Sequence, residues 1–183
     1  MLFSALKLLF LSAVLVLTGC AANVQRQGSV DKQLAISSVA AKRITLEIHG
    51  SKALAASKDW EQFRNEWRIG MEEATKAAGM TLAPLDASAA VGAVSATQPS
   101  TRVTVRINDY RYITRGARVA VGIMTGNAYI DADVFFTELP GTALAGTRKY
   151  ATTSSAIQGV FAPMTESQIR GICDEIVKNV AQR

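Results

Sequence analysis

"TRVTVRINDYRYIT", residues 101–114, decides how the fold is read. Val103, Val105 and Ile107 alternate with Thr104, Arg106 and Asn108. A period of two places one set of side chains on each face of a half-buried strand. The phase changes after Asn108-Asp109, because Tyr110 and Tyr112 fall on the other parity, and a bulge near Asp109 reconciles the two halves. Downstream, "NAYIDADVFFTEL" (127–139) sets Ile130, Ala132, Val134 and Phe136 on one face. Pro140-Gly141 supplies turn chemistry into "ALAGTRKYATTS" (143–154). A two-residue turn flanked by Leu139 and Thr142 would bring Asp133 opposite Arg148 and Asp131 opposite Tyr150, a coherent antiparallel pairing. Three successive strands of this kind predict an antiparallel meander.

Upstream, "RITLEIHG" (43–50) alternates Ile44, Leu46 and Ile48 with Thr45, Glu47 and His49, and reads as a strand ended by Gly50. "DWEQFRNEWRIGMEEATKAAG" reads as a helix over 59–78. Trp60, Phe63, Trp67, Met71, Ala74 and Ala78 share one face, Asp59 and Gln62 have capping-box spacing, and Gly79 is a stop. At this spacing the Trp and Met stripe is core rather than a ligand box. "MTLAPL" is a short strand, and the Ala/Ser/Gly-rich 86–100 a surface loop. "TESQIRGICDEIVKNVA" is a second helix. Thr165 and Gln168 have capping-box spacing, and Ile169, Ile172, Cys173, Ile176, Val177 and Val180 form an apolar stripe. The expected class is α+β: an antiparallel meander sheet with two helices packed on one face.

The chain opens with Lys7 and an uncharged apolar run, Leu8–Leu17, closing in Leu17-Thr18-Gly19-Cys20. The run is about half of the roughly 20 residues a spanning helix needs, and it matches the core of an export signal. Leu17-Thr18-Gly19-Cys20 resembles the lipobox of bacterial lipoproteins. The resemblance implies cleavage between Gly19 and Cys20, with Leu17, Thr18 and Gly19 as the signal-peptidase recognition residues. It also implies a diacylglyceryl group on the Cys20 thiol, since a thiolate is a good nucleophile, and acylation of the new amino terminus. Several acyl chains give stable anchoring where one does not. Ala21-Ala22 in place of an Asp after the cysteine implies the outer membrane, periplasmic face. The element order also resembles that of small Gram-negative envelope lipoproteins with a compact α+β domain.

This reading divides the chain into signal (1–19), lipidated Cys20 with a tether (20–42), and one α+β domain (43–183). Removing 19 of 183 residues leaves 164, enough for one core without staples. The polar "ANVQRQGSVDKQ" has too few large apolar groups to bury and is expected to be flexible. Lipidation of Cys20 leaves Cys173 without an intramolecular partner, excluding a disulfide framework and a Cys-based zinc site. Without Lys7 the balance is 19 basic against 15 acidic residues, scattered rather than striped, so nucleic acid is not an expected partner.

Catalytic constellations are absent from the sequence pattern, and no enzyme activity, metal or cofactor is expected. Asp131 and Asp133 share a strand face, but a cross-strand ion pair accounts for them better than a cation site. His49, the only histidine, gains no triad geometry from adjacent Ser51. "RGARVAVGIMTGN" (115–127) lacks the Gly-Lys-Ser/Thr of a phosphate loop. It reads either as a packed strand connection or as an exposed apolar loop. On the second reading Arg115, Arg118, Ile123 and Met124 are the candidates for contact with a partner or a bilayer. The expected function is an outer-membrane-anchored, non-catalytic binding or structural accessory module that docks on another envelope protein. The alternative is a small-molecule or lipid-binding module with a pocket between the meander and the helices.

Overall fold

A computed structural model describes residues 23–27, 33–83, 98–113, 128–153 and 164–181. The strands are β1 (Asn23–Gln27), β2 (Arg43–Gly50), β3 (Thr81–Ala83), β4 (Ser100–Arg111), β5 (Tyr129–Leu139) and β6 (Leu144–Thr153). The helices are α1 (Lys52–Ala55), α2 (Trp60–Ala77) and α3 (Met164–Ala181), and a 3-10 turn spans Ala40–Lys42. The class is α+β, and among the described residues six strands form one sheet ordered β1-β6-β5-β4-β2-β3.

The meander β4-β5-β6 is antiparallel, and its register shifts between Ile107 and Asp109, where the change of parity requires a bulge. The sheet as a whole is mixed, not antiparallel. β2 runs parallel to both β3 and β4, while β1 is antiparallel to β6. The cause lies in α2. An 18-residue helix carries the chain back by about 27 Å, so the strand after it starts beside the start of β2 and runs the same way.

Both long helices cover one sheet face. Trp60, Phe63, Trp67, Met71 and Ala74 of α2 are buried, as are Ile169, Ile172, Cys173, Ile176, Val177 and Val180 of α3. They share a core with Val103, Val105, Ile107, Ile130, Ala132, Val134 and Phe136. The helices pack closely at Gly70, where a Cβ would come within 3.3 Å of Cys173 Sγ. Gly79 stops α2 with φ +68°, a backbone conformation that costs glycine little. Cys173 is a structural thiol, fully buried, and burial pushes its pKa far up.

Three local expectations are corrected. Residues 140–143 lie between β5 and β6, so the connection is longer than a two-residue turn. Asp133 therefore pairs with Lys149, Asp131 with Ala151, and Val134 rather than Asp133 faces Arg148. A slip of one residue exchanges the faces of a strand, which is why Lys149 replaces Arg148 as the cation beside the aspartates. Asp59 makes no side-chain cap, and Thr165 and Gln168 bond elsewhere, as described below. Lastly, Asn23–Gln27, expected within the tether, forms the edge strand β1. Backbone pairing at an edge needs no apolar side chains, so a polar segment can supply it. Residues 33–42 are also held in place. Leu34 is buried over Gly146, Ala35 N–H donates to Ala145 O, and Ser37 donates to Glu138 from both N–H (2.7 Å) and Oγ (2.8 Å).

Candidate functional site

The residues singled out in the sequence, Leu17, Thr18, Gly19, Cys20, Arg115, Arg118, Ile123 and Met124, lie outside the described residues. What the structure does show is how the chain on either side of 114–127 is fastened. Ile113 N–H donates to Thr165 Oγ1 (3.1 Å), and Gln168 Nε2 donates to the Ala128 carbonyl (3.0 Å). Both side chains are buried. The spacing that resembles a capping box is thus used to clamp the end of β4 and the start of β5 onto the first turns of α3. Buried hydrogen bonds of this kind are costly to leave unmade, which makes Thr165 and Gln168 fixed points of the fold.

The sheet face opposite the long helices is covered by none of the described elements, and its chemistry is charged. Glu47 on β2, Arg102 and Arg106 on β4, Asp131 and Asp133 on β5 and Lys149 on β6 form columns of alternating sign across four adjacent strands. Arg106 Nη2 lies 3.4 Å from Asp133 Oδ2, and Lys149 Nζ 3.4 Å from Asp131 Oδ2. Asn108 Nδ2 donates to both aspartates, at 3.2 and 3.0 Å. Arg102 Nε approaches Glu47 Oε1 to 3.2 Å, an ion pair without the alignment of a hydrogen bond. The Arg106 guanidinium also sits 5.0 Å above the Phe135 ring. The shared aspartate face foreseen in the sequence is therefore real, and its neighbours are cations and an amide. Among the described residues no group of three or more His, Cys, Asp or Glu is placed to hold a metal ion. His49, 61% exposed, stands 3.7 Å from Glu47, while the Ser51 hydroxyl caps α1 by accepting from Leu54 N–H.

A groove of about 670 Å³ opens on the helix side, between α2 and the parallel strands β2 and β3. Leu46, Ile48, Met80 and Leu82 give it an apolar floor. Its rim belongs to α2, where Arg64 pairs with Glu61 and Arg68 with Glu72, and Lys76 stands beside them. The groove exists because α2 turns its apolar face towards the meander and leaves the outer strands partly roofless. It lies beside the parallel edge, away from the meander where a pocket was expected.

The fold resembles that of PelC from Paraburkholderia phytofirmans. That structure, a dodecamer, is 13% identical over 88% of this chain and 99% of that one, with a TM-score of 0.53. A Xanthomonas campestris protein of the DUF330 family is 9% identical over 85% of this chain and 90% of its own, with a TM-score of 0.45. Both are small bacterial proteins. No family model and no curated protein matches the sequence. At such identities the likeness to PelC establishes a shared architecture, and no residue is carried across.

One further network escapes a reading by periodicity. Tyr110 packs face to face on Phe63, with ring centroids 4.1 Å apart, and its hydroxyl donates to Asp59 Oδ1 (2.8 Å) and meets Ser57 Oγ at 2.7 Å. Asp59 therefore serves a tyrosine of β4 and not the first turn of its own helix. Beside it, burial pushes the Tyr112 phenol up to about 12, helped by the charges of Glu66, Glu166 and Asp59. Glu66 is itself raised, first by burial and then by Glu166. The change of parity at Asp109 was the sequence signal that β4 turns Tyr110 towards the helices.

Proposed function

We propose that this protein is a lipid-anchored, non-catalytic accessory module of the bacterial envelope. It is tethered through Cys20 to the periplasmic face of the outer membrane and docks on another envelope protein with its uncovered sheet face. The observation that carries this reading is the Leu17-Thr18-Gly19-Cys20 lipobox placed just ahead of a domain whose described helices roof one side of its sheet. The uncovered side has spaced charges, a guanidinium stacked on Phe135, and rigid strands beneath, the makings of a polar recognition surface. A second reading rests on the groove beside α2, whose apolar floor and charged rim suit a small amphipathic ligand. The dodecamer formed by PelC makes a second copy of this chain one partner to be tested.

Two measurements test the proposal. Cys20→Ala should accumulate as unprocessed precursor and incorporate no labelled fatty acid; normal processing sinks the anchor. A photo-crosslinking residue at Thr104, on the uncovered face, in native envelopes should capture one discrete protein, with no such product from a crosslinker at Glu72 in the groove rim. Capture from Glu72 alone would move the protein contact to the groove rim and sink docking by the sheet face. Loss of the Thr104 product on adding salt would agree with charge-guided docking.

A further inference from the structure

β1 makes the anchor short. Cys20 precedes Asn23 by three residues, which span at most about 10 Å even when fully extended. Asn23 is not free to wander, because it pairs with Thr153 in the sheet, and pairing continues through Gln27 opposite Lys149. The register carries that position across the molecule. Thr153 also faces Tyr129, and Tyr129 faces Arg111, so Asn23 lies in one row with the start of β5 and the end of β4. The same end of the domain holds Gly50, opposite Ile107 on β4, and the turn and short helix that follow it. The far end holds Leu144 and Val39, both exposed, one at the start of β6 and the other beside Lys42. Leu144 and Thr153 are separated by the length of β6, about 30 Å.

We propose that the domain is held end-on against the bilayer, with the Gly50–Asp59 turn and the upper rims of β4, β5 and β6 facing the lipid and the Val39–Leu144 end facing away. The inference rests on the lipid anchor at Cys20 and adds its geometry. A free 20–42 tether would let the domain rotate and drift; a strand beginning three residues after the lipid cannot. The lipid-facing end is chemically suited to its place. Lys52 and Lys58 are exposed on it, and basic residues near an anionic leaflet are attracted to it. Of the acids at this end, Asp59 and Asp109 each accept a hydrogen bond from a tyrosine hydroxyl, Tyr110 and Tyr129 respectively, while Glu61 pairs with Arg64 and Glu166 stands on the first turn of α3. The uncovered sheet face then stands roughly along the membrane normal, open to a partner approaching from the side.

The test uses full-length lipidated protein in vesicles of phosphatidylethanolamine and phosphatidylglycerol. Lys52→Cys and Leu144→Cys are labelled singly with a fluorophore that brominated lipid quenches. Cys173 is fully buried with its pKa raised, so it takes no label. Quenching at position 52 should exceed that at position 144 several-fold, and a long Gly/Ser insertion after Ala22 should erase the difference. Equal quenching at the two positions, or stronger quenching at 144, overturns the orientation. Intact mass on the same sample separates the two claims. A missing lipid mass defeats the anchor and the inference with it, whereas a lipid present with equal quenching defeats the orientation alone.

Discussion

The two faces of the same sheet are built on opposite terms. Residues 103, 105 and 107 of β4 point to one side and meet Phe63, Trp67 and the stripe of α3 in a dry core. Residues 102, 104, 106 and 108 point to the other and meet Glu47, Asp131, Asp133 and solvent. Burial of apolar area stabilises at about 25 cal/mol per Å², while exposed ion pairs contribute about 0–1 kcal/mol each. The covered face therefore holds the fold, and the charged face is left free to be selected for recognition. Side chains there can change with little effect on folding.

The largest effect should come from the covered face. Phe63 is fully buried and stacked on Tyr110, and it also meets the rings of Trp60, Trp67 and Tyr112. Phe63→Ala removes a ring that its rigid neighbours cannot replace, at a cost of about 3–5 kcal/mol. Urea unfolding monitored by tryptophan fluorescence reads this as a lower midpoint with little change in slope. A loss below about 1 kcal/mol would mean that the helices do not carry the core.

The same contrast explains what could be read from the sequence. The covered face was legible wherever the period was clean. The stripes of α2 and α3, the alternation in β4 and β5, and the bulge at Asp109 all follow from spacing and recur in the structure. The parallel pairing of β2 was missed although a strand, a long helix and a strand in succession carry its signature. The three-residue β3 was too short to announce a direction. β1 gave no signal because an edge strand is held by backbone hydrogen bonds, which leave no mark on side-chain pattern. The β5–β6 register was missed by one residue because turn length, not hydrophobicity, sets it. Asp59, Thr165 and Gln168 matched capping spacings, yet each bonds far along the chain, to Tyr110 on β4 or to residues flanking β4 and β5, a choice only tertiary structure makes. The charged face shows the converse. The shared side of Asp131 and Asp133 follows from parity alone, but their partners, Asn108, Arg106 and Lys149, come from two neighbouring strands.

A smaller effect is expected from the charged face. The Arg106 side chain is 59% exposed, and its contacts with Asp133 and Phe135 are open to screening. Arg106→Ala should lower stability by less than about 1 kcal/mol. The same variant should reduce capture of the envelope partner from a crosslinker placed elsewhere on the face, for instance at Thr104. A loss of stability approaching that of Phe63→Ala would collapse the distinction between the two faces. Unchanged capture would leave the face structural only.

The smallest effect belongs to the outer seam of the two helices, where charges are neither dry nor fully wet. Glu66 on α2 is half-buried and faces Glu166, Arg170 and Glu73, with Tyr112 nearby. Burial raises its pKa, Glu166 and Glu73 add to the rise, and Arg170, engaged with Glu73 at 3.1 Å, opposes it. The folded state thus holds the Glu66 proton more tightly than the unfolded chain does. The stability it contributes is fully present below the ordinary carboxyl pKa of 4.5 and is lost as pH rises through the elevated value. Glu66→Gln keeps the shape and removes the charge, so it should melt slightly higher than the parent at pH 7, by less than about 2 °C. The difference should vanish near pH 4, where the parent carboxyl is largely protonated. A variant that melts lower at pH 7, or one whose advantage persists at pH 4, would show that the charge of Glu66 does not govern the seam.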